Sequence, residues 1–183
     1  MKWFFRITAI IIACFTALVA IGYVTSPDLL VEQDIVVEAL PEEVFPYLEN
    51  LSYSNAWSPW YARQPEANYI FTGPEQGVGA HVMWRNDNES GNKAAISSQE
   101  IIAVQPAEFV QSELQLGGIA AKATYALIAN NDDTVLVYIK YEQHLGDTPY
   151  IQRLLKTREH KILSREFETA LQRLKAITES GVE

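Results

Sequence analysis

Two hydrophobic periods divide the chain. From Tyr150 to about Ser180 there is neither Gly nor Pro, and Ile151, Leu154, Leu155, Ile162, Leu163, Phe167, Leu171, Leu174 and Ile177 recur three or four residues apart. That is the stripe of an amphipathic helix. Between Val31 and His144 the apolar residues alternate instead, in short runs bounded by turn residues. The pattern predicts strands over Val31–Ala39, Ala67–Thr72, Val78–Arg85, Lys93–Val104, Glu108–Leu116, Ile119–Ala129 and Thr134–His144. Gly73-Pro74-Glu75-Gln76-Gly77, Asn86–Asn92, Gln105-Pro106, Gly117-Gly118 and Asn130–Asp133 break them apart. Pro41-Glu42-Glu43 opens a helix, with Pro in the first turn and acids at the positive end of the dipole. Leu51–Trp60 reads as a second short helix or turn. One long amphipathic helix after a run of strands must bury its stripe on the sheet. The expected architecture is α+β: a curved antiparallel sheet gripping the terminal helix, with a cavity between them.

The stripe is polar at Arg158 and Glu159, where apolar residues are due. A single helix over 150–180 would be about 45 Å long, more than a domain of this size readily covers. A break is therefore expected, with a short helical piece near Tyr150–Lys156 as a lid over the cavity mouth and the main helix from about His160.

The other end of the chain has no alternation at all. After MKWFFR, with Lys2 and Arg6, residues Ile7 to Val24 form an 18-residue run without a charge. That is near the lower length for a membrane span. Residues 1–24 are read as an uncleaved anchor, 25–30 as a linker and 31–180 as the folded domain. A cleaved signal peptide is the alternative, although Ala20-Ile21-Gly22 is a poor cleavage site. Ile11-Ile12-Ala13-Cys14 also resembles a lipobox. Cations precede the run and Asp28, Glu32 and Asp34 follow it. The expected topology is thus a single pass of a bacterial inner membrane, with the C-terminal domain outside the cytoplasm.

Charge narrows the partners. All 23 acidic residues and 12 of the 14 basic ones lie after position 24, which leaves that part at −11. Such a surface repels nucleic acid and disfavours anionic headgroups as a docking surface for the whole domain. The single cysteine, Cys14, excludes a disulfide framework and a cysteine metal site.

The residues from Val31-Glu32 through Pro41-Glu42-Glu43-Val44-Phe45, Trp57-Ser58-Pro59-Trp60, Phe71-Thr72-Gly73-Pro74-Glu75-Gln76-Gly77-Val78-Gly79-Ala80 with Trp84, and Phe167 with Leu171-Gln172-Arg173-Leu174-Lys175 resemble the SRPBCC superfamily. These are the START-like proteins that include the polyketide cyclase/dehydrase-type group. The similarity covers roughly residues 31 to 178 and is nearest to bacterial members with an N-terminal membrane anchor. It implies the helix-grip (START/Bet v 1-like) fold and a cavity used for lipids, other apolar molecules or cyclase-type chemistry. This chain departs from the pattern at the shortened Gly117-Gly118 loop and at Ala170, where the family commonly has Gly.

Candidate cavity residues are Trp57, Trp60, Tyr69, Phe71, Val82, Trp84, Leu114 and Tyr125. Alternation places Val78, Ala80, Val82 and Trp84 on one, more apolar face, expected to look inward. A pocket of this kind suits an apolar ligand, with indole N–H and tyrosine hydroxyl groups as its polar handles. The histidines at 81, 144 and 160 have no metal-ligand spacing, so neither a metal nor a cofactor is expected. No residue is assigned a catalytic role. Glu100 and Ser98, grouped with Ile96 and Ile102, are the carboxylate and hydroxyl that a proton-transfer reading needs inside the pocket. Arg153, Lys156, Arg158, Lys161 and Arg165 make the start of the last helix basic. Three functions stay open: binding of a lipid or other hydrophobic small molecule, a cyclase/dehydratase-type enzyme, and a protein-interaction domain without a ligand.

Overall fold

The computed structural model describes residues 28–85, 96–130, 133–144 and 150–180, together with Trp3; at 150–156 only the backbone is described. Apart from Trp3, the expected anchor, residues 1–24, lies outside the described residues, as does the Asn86–Asn92 loop. Among the described residues no helix is long and apolar enough to cross a membrane.

Seven strands form one antiparallel sheet. They are β1 (Asp28–Val37), β2 (Asn68–Thr72), β3 (His81–Arg85), β4 (Ser97–Gln105), β5 (Phe109–Leu116), β6 (Ile119–Ala129) and β7 (Val135–His144). Their order is β1-β7-β6-β5-β4-β3-β2. Strands β2 to β7 form a meander, and β1 pairs along β7, with Asp28 opposite His144 and Val37 opposite Val135. Between β1 and β2 lie α1 (Pro41–Glu49), a 3-10 turn (Tyr53–Ala56) and α2 (Pro59–Arg63). The chain ends in α3 (Tyr150–Ser180).

Local chemistry explains the small elements. The Glu43 carboxylate accepts from the Leu40 N–H at 2.7 Å and so satisfies a free donor at the start of α1. Ser58 Oγ accepts from the Trp60 N–H at 3.3 Å, and Pro59 occupies the first helical position of α2. The turn between β2 and β3 needs glycine. Gly73 has φ +80°, and a Cβ there would meet the Gly79 carbonyl oxygen at 2.2 Å. The same turn donates from Gly77 N to Glu49 O at 3.1 Å and from Gly79 N to Ile101 O at 2.8 Å. It therefore docks on α1 and β4 rather than extending β3. That is why Val78 is exposed and outside the strand, contrary to its expected inward position, whereas Ala80, Val82 and Trp84 are buried.

Two further expectations are corrected. On β4 the inward residues are Ser97, Gln99 and Ile101, all buried, while Ile96 and Glu100 are exposed and Ser98 and Ile102 half-buried. The face containing Glu100 points outward because Ser97 lies opposite Trp84 and Gln99 opposite Val82. Nor is α3 interrupted: it is one helix of 31 residues, with no separate lid piece. Leu163, Phe167, Ala170, Leu171 and Leu174 are buried, but every residue from Thr157 to Ile162 is exposed. The polar step at Arg158-Glu159 marks where the helix leaves the sheet, not where it bends. Nothing in that stretch breaks a helix, since it lacks Gly and Pro.

The direction of α3 follows from its contacts with β1. Lys175 Nζ donates to Val36 O at 2.7 Å, and the Glu38 N–H donates to the Glu179 carboxylate at 2.8 Å. Lys175 also pairs with Glu179 at 3.0 Å. These partners, the backbone N–H of Glu38 first, hold the Glu179 carboxyl below its ordinary value. Helix and strand therefore run parallel. Counting back from Lys175 beside Val36, α3 covers about 37 Å to Tyr150 and β1 about 26 Å to Asp28, so the first turns of α3 pass the end of the sheet where β1 begins. Arg63 of α2 grips the same helix through Glu166, one bond being Nε to Oε2 at 2.9 Å.

Phe167→Ala should cost about 3–5 kcal/mol, because a fully buried ring leaves a cavity. Thr157→Ala on the overhanging half should stay within about 0.5 kcal/mol. Denaturant unfolding of both variants checks the pair; equal losses would mean that the overhang is packed.

Candidate functional site

The inward side chains sort into two aromatic groups. Trp57 meets Tyr125 edge-on at 5.5 Å between ring centroids. Trp60 lies 5.8 Å from Tyr141 and 5.9 Å from Phe167, and Tyr141 lies 5.6 Å from Phe167. These five rings are buried between the sheet, α2 and α3. The second group is a stack. Tyr61 lies parallel to Tyr69 at 4.0 Å, and Tyr69 stacks on Trp84 at 6.0 Å. Both groups bring side chains of the helical connection onto the sheet, which lengthens the range of the packing. Trp57 Nε1 donates to Tyr47 O at 3.0 Å. Among the described residues the indole N–H of Trp60 and the hydroxyl of Tyr61 are buried without a hydrogen-bond partner, which makes them candidate polar handles of this interior.

Burial pushes the phenols of Tyr125 and Tyr141 above their ordinary value of 10.0; Trp60 offsets a little of the rise at Tyr125 and Arg63 a little at Tyr141. Both stay protonated at neutral pH. Tyr141 uses its hydroxyl to donate to Gln143 Oε1 at 2.9 Å.

Gln143 leads to a wide opening. A cleft of about 800 Å³ lies at the rim of the sheet, where β1 and β6 begin and β5 and β7 end. It is lined by Asp28, Leu29 and Leu30, by Glu113, Leu114 and Gln115, by Ala120, Ala121 and Lys122, and by Glu142, Gln143 and His144. Three successive residues per strand contribute, so both faces of the sheet and the backbone between them form its walls. Ala120 and Ala121 leave room where larger side chains would fill it. The lining is apolar in Leu29, Leu30, Leu114 and the two alanines, with polar groups around them. His144 Nδ1 lies 2.6 Å from the Asp28 carboxylate, both side chains being largely exposed. Lys140 pairs with Glu142 at 2.9 Å beside it. The first turns of α3 reach this same end of the sheet.

Each sequence candidate has a definite place. Leu114 lines the rim cleft. Trp84 borders a cleft of about 160 Å³ with Ile70, Met83 and Ile96. Phe71 is about half exposed at the sheet edge and borders an opening of about 120 Å³. Trp57, Trp60, Val82 and Tyr125 are buried in the packed interior, and Tyr69 is half-buried in the stack. His81 meets Thr72 Oγ1 at 3.0 Å, and His160 lies on the exposed half of α3. No group of three or more potential metal ligands occurs among the described residues. The sequence reading missed Leu29, Gln143, His144 and Ala121. The available signal was the first strand, which begins at Asp28 rather than Val31 and carries the rim with it.

No protein-family model and no curated protein sequence matches the chain. Solved structures do. Norcoclaurine synthase from Thalictrum flavum, solved with dopamine and hydroxybenzaldehyde, superposes with a TM-score of 0.60 at 13% identity, over 89% of this chain and 93% of that one. The di-domain ARO/CYC StfQ of the steffimycin biosynthetic pathway gives 0.59 at 14% identity, over 85% of this chain and 52% of that one. DynU16, from the dynemicin biosynthetic locus, gives 0.56 at 15% identity, over 85% of this chain and 49% of that one. The chain thus spans about half the length of DynU16 and StfQ. At these identities the likeness is one of fold, the Bet v 1-like helix-grip fold of the SRPBCC proteins.

The raised tyrosines make a pH prediction. Because folding lifts their pKa values, the stability they lend is present below about pH 10 and is lost as the pH climbs past it. Thermal melting of Tyr125→Phe should therefore show a shallower alkaline fall than the parent chain. An identical fall would assign the effect to other groups.

Proposed function

We propose that the domain binds a lipid or other largely apolar small molecule at the rim cleft, and that residues 1–24 hold it to a membrane. The observation that carries the binding reading is the cleft itself. Its volume of about 800 Å³ lies within the roughly 300–1,000 Å³ of small-molecule sites. Its lining joins an apolar strip to a few polar groups, the arrangement that seats an apolar body and orients one polar end. The fold supports the same reading, since the solved relatives include one with two small aromatic molecules bound. The tether is supported by the 18 uncharged residues from Ile7 to Val24 between Arg6 and Asp28. With the flanking charges it gives a single pass of a bacterial inner membrane, the domain lying outside the cytoplasm.

Native mass spectrometry of the 183-residue chain, released from detergent and offered palmitate, phosphatidylglycerol and ubiquinone, tests the binding. A bound adduct that Ala120→Trp abolishes is the expected result. Ala120 is exposed and lines the cleft, so a tryptophan there fills space at little cost to folding. Adducts unaffected by that change would place the ligand elsewhere, and a chain that takes up none of the three would sink the reading.

One observation favours a second reading, a cyclase/dehydratase-type enzyme. The carboxylate of Asp28 holds one nitrogen of His144 at 2.6 Å and leaves the other for proton transfer at the cleft. On that reading His144→Gln leaves binding intact but stops turnover of a polyketone thioester surrogate followed by absorbance. Glu100, outward and exposed, has no part in it.

A further inference from the structure

The first half of α3 carries charge opposite to the rest of the chain. Residues 150–165 contain Arg153, Lys156, Arg158, Lys161 and Arg165 against one acid, Glu159, in a chain of net charge −9. Arg158, Lys161 and Arg165 are exposed, and none has an ion-pair partner among the described residues. A cationic cluster folded back on an acidic domain would find partners there. Here the stretch from Thr157 to Ile162 stays exposed to solvent.

The place it is carried to is set by β1. The uncharged run ends at Val24 and β1 begins at Asp28. Four residues span at most about 14 Å. The rim of the sheet, the rim cleft and the beginning of α3 therefore all lie at the end of the domain from which the anchor departs. We infer that the basic first half of α3 docks on anionic lipid headgroups and holds the open end of the cleft against the bilayer. This rests on the tether reading above and adds to it an orientation. Asp28, Glu113 and Glu142 at the rim oppose it, with Lys122 and Lys140 offsetting part of their charge. The five cations in the first half of α3 outnumber these acids, and screening beyond about 8 Å at physiological ionic strength removes the acids farther off. Each cation near an anionic surface is worth about 1 kcal/mol, or roughly fivefold in the docked fraction. A cleft pressed to the membrane receives an apolar molecule from the bilayer without carrying it through water, which the cleft's apolar strip alone would not secure.

The test uses the full chain with Cys14→Ser and a dye on Thr157→Cys, reconstituted in phosphatidylcholine vesicles with or without phosphatidylglycerol. A headgroup-nitroxide lipid serves as quencher. Quenching should be strong only with phosphatidylglycerol and should fade at high salt. Arg158→Gln with Lys161→Gln should lower the docked-to-free ratio about 25-fold, from roughly fivefold per cation. Arg173→Gln, farther along α3, should leave it unchanged, and circular dichroism confirms that each variant is folded. Equal quenching in both lipids, or no response to the paired change, overturns the docking while an embedded chain keeps the tether. A chain that alkaline carbonate strips from the vesicles overturns both.

Discussion

Burial of one stripe of α3 is the constraint on which the structure depends. Leu163, Phe167, Ala170, Leu171 and Leu174 are buried, against the sheet and, at Phe167, against Trp60 of α2. Buried side chains of this kind contribute about 1.5–3 kcal/mol each relative to exposure, and they are contiguous. Around them the sheet supplies Val31, Val37, Val137, Ile139 and Tyr141 from its β1–β7 side. Ion pairs with α2 and hydrogen bonds with the end of β1 fix the helix along its axis. They are exposed and worth little individually, but they set which stretch of the stripe faces the sheet.

That register decides where the molecule is full and where it is open. Opposite Phe167 the interior is filled by Trp57, Trp60, Tyr125 and Tyr141, ring against ring. Toward the start of β1 the helix is exposed from Thr157 to Ile162, the sheet carries Ala120 and Ala121, and a cleft of about 800 Å³ opens at the rim.

The same geometry joins three properties that have no sequence relation to one another. The N-terminal segment enters at Asp28, the cleft is lined by Asp28 to Leu30, and the basic turns of α3 overhang beside them. They come together because β1 and α3 run parallel, which puts the beginnings of both at one end. Function at that end would combine a tether, a surface and a site. The protonated, buried tyrosines lie deeper, and Tyr141 is linked to the rim only through Gln143.

Much of this was legible in the sequence. Period-two alternation found all seven strands, and the period-three-to-four stripe found the terminal helix, because each buried face has to repeat at the pitch of its own backbone. The glycines of the β2–β3 turn and Ser58-Pro59 announced themselves through conformations or caps that few residues supply. The polar step at Arg158-Glu159 was read as a break, since periodicity records which residues are buried, not whether the helix continues beyond its support. Glu100 was placed inward because alternation defines two faces and does not say which one a β3–β4 register turns to the core. The aromatic candidates were right in being interior or edge residues, but whether a ring lines a space or fills it depends on neighbours more than 60 residues away, such as Phe167 for Trp60. The rim cleft was beyond the sequence for the same reason: it is bounded by the ends of four strands that only tertiary pairing brings side by side.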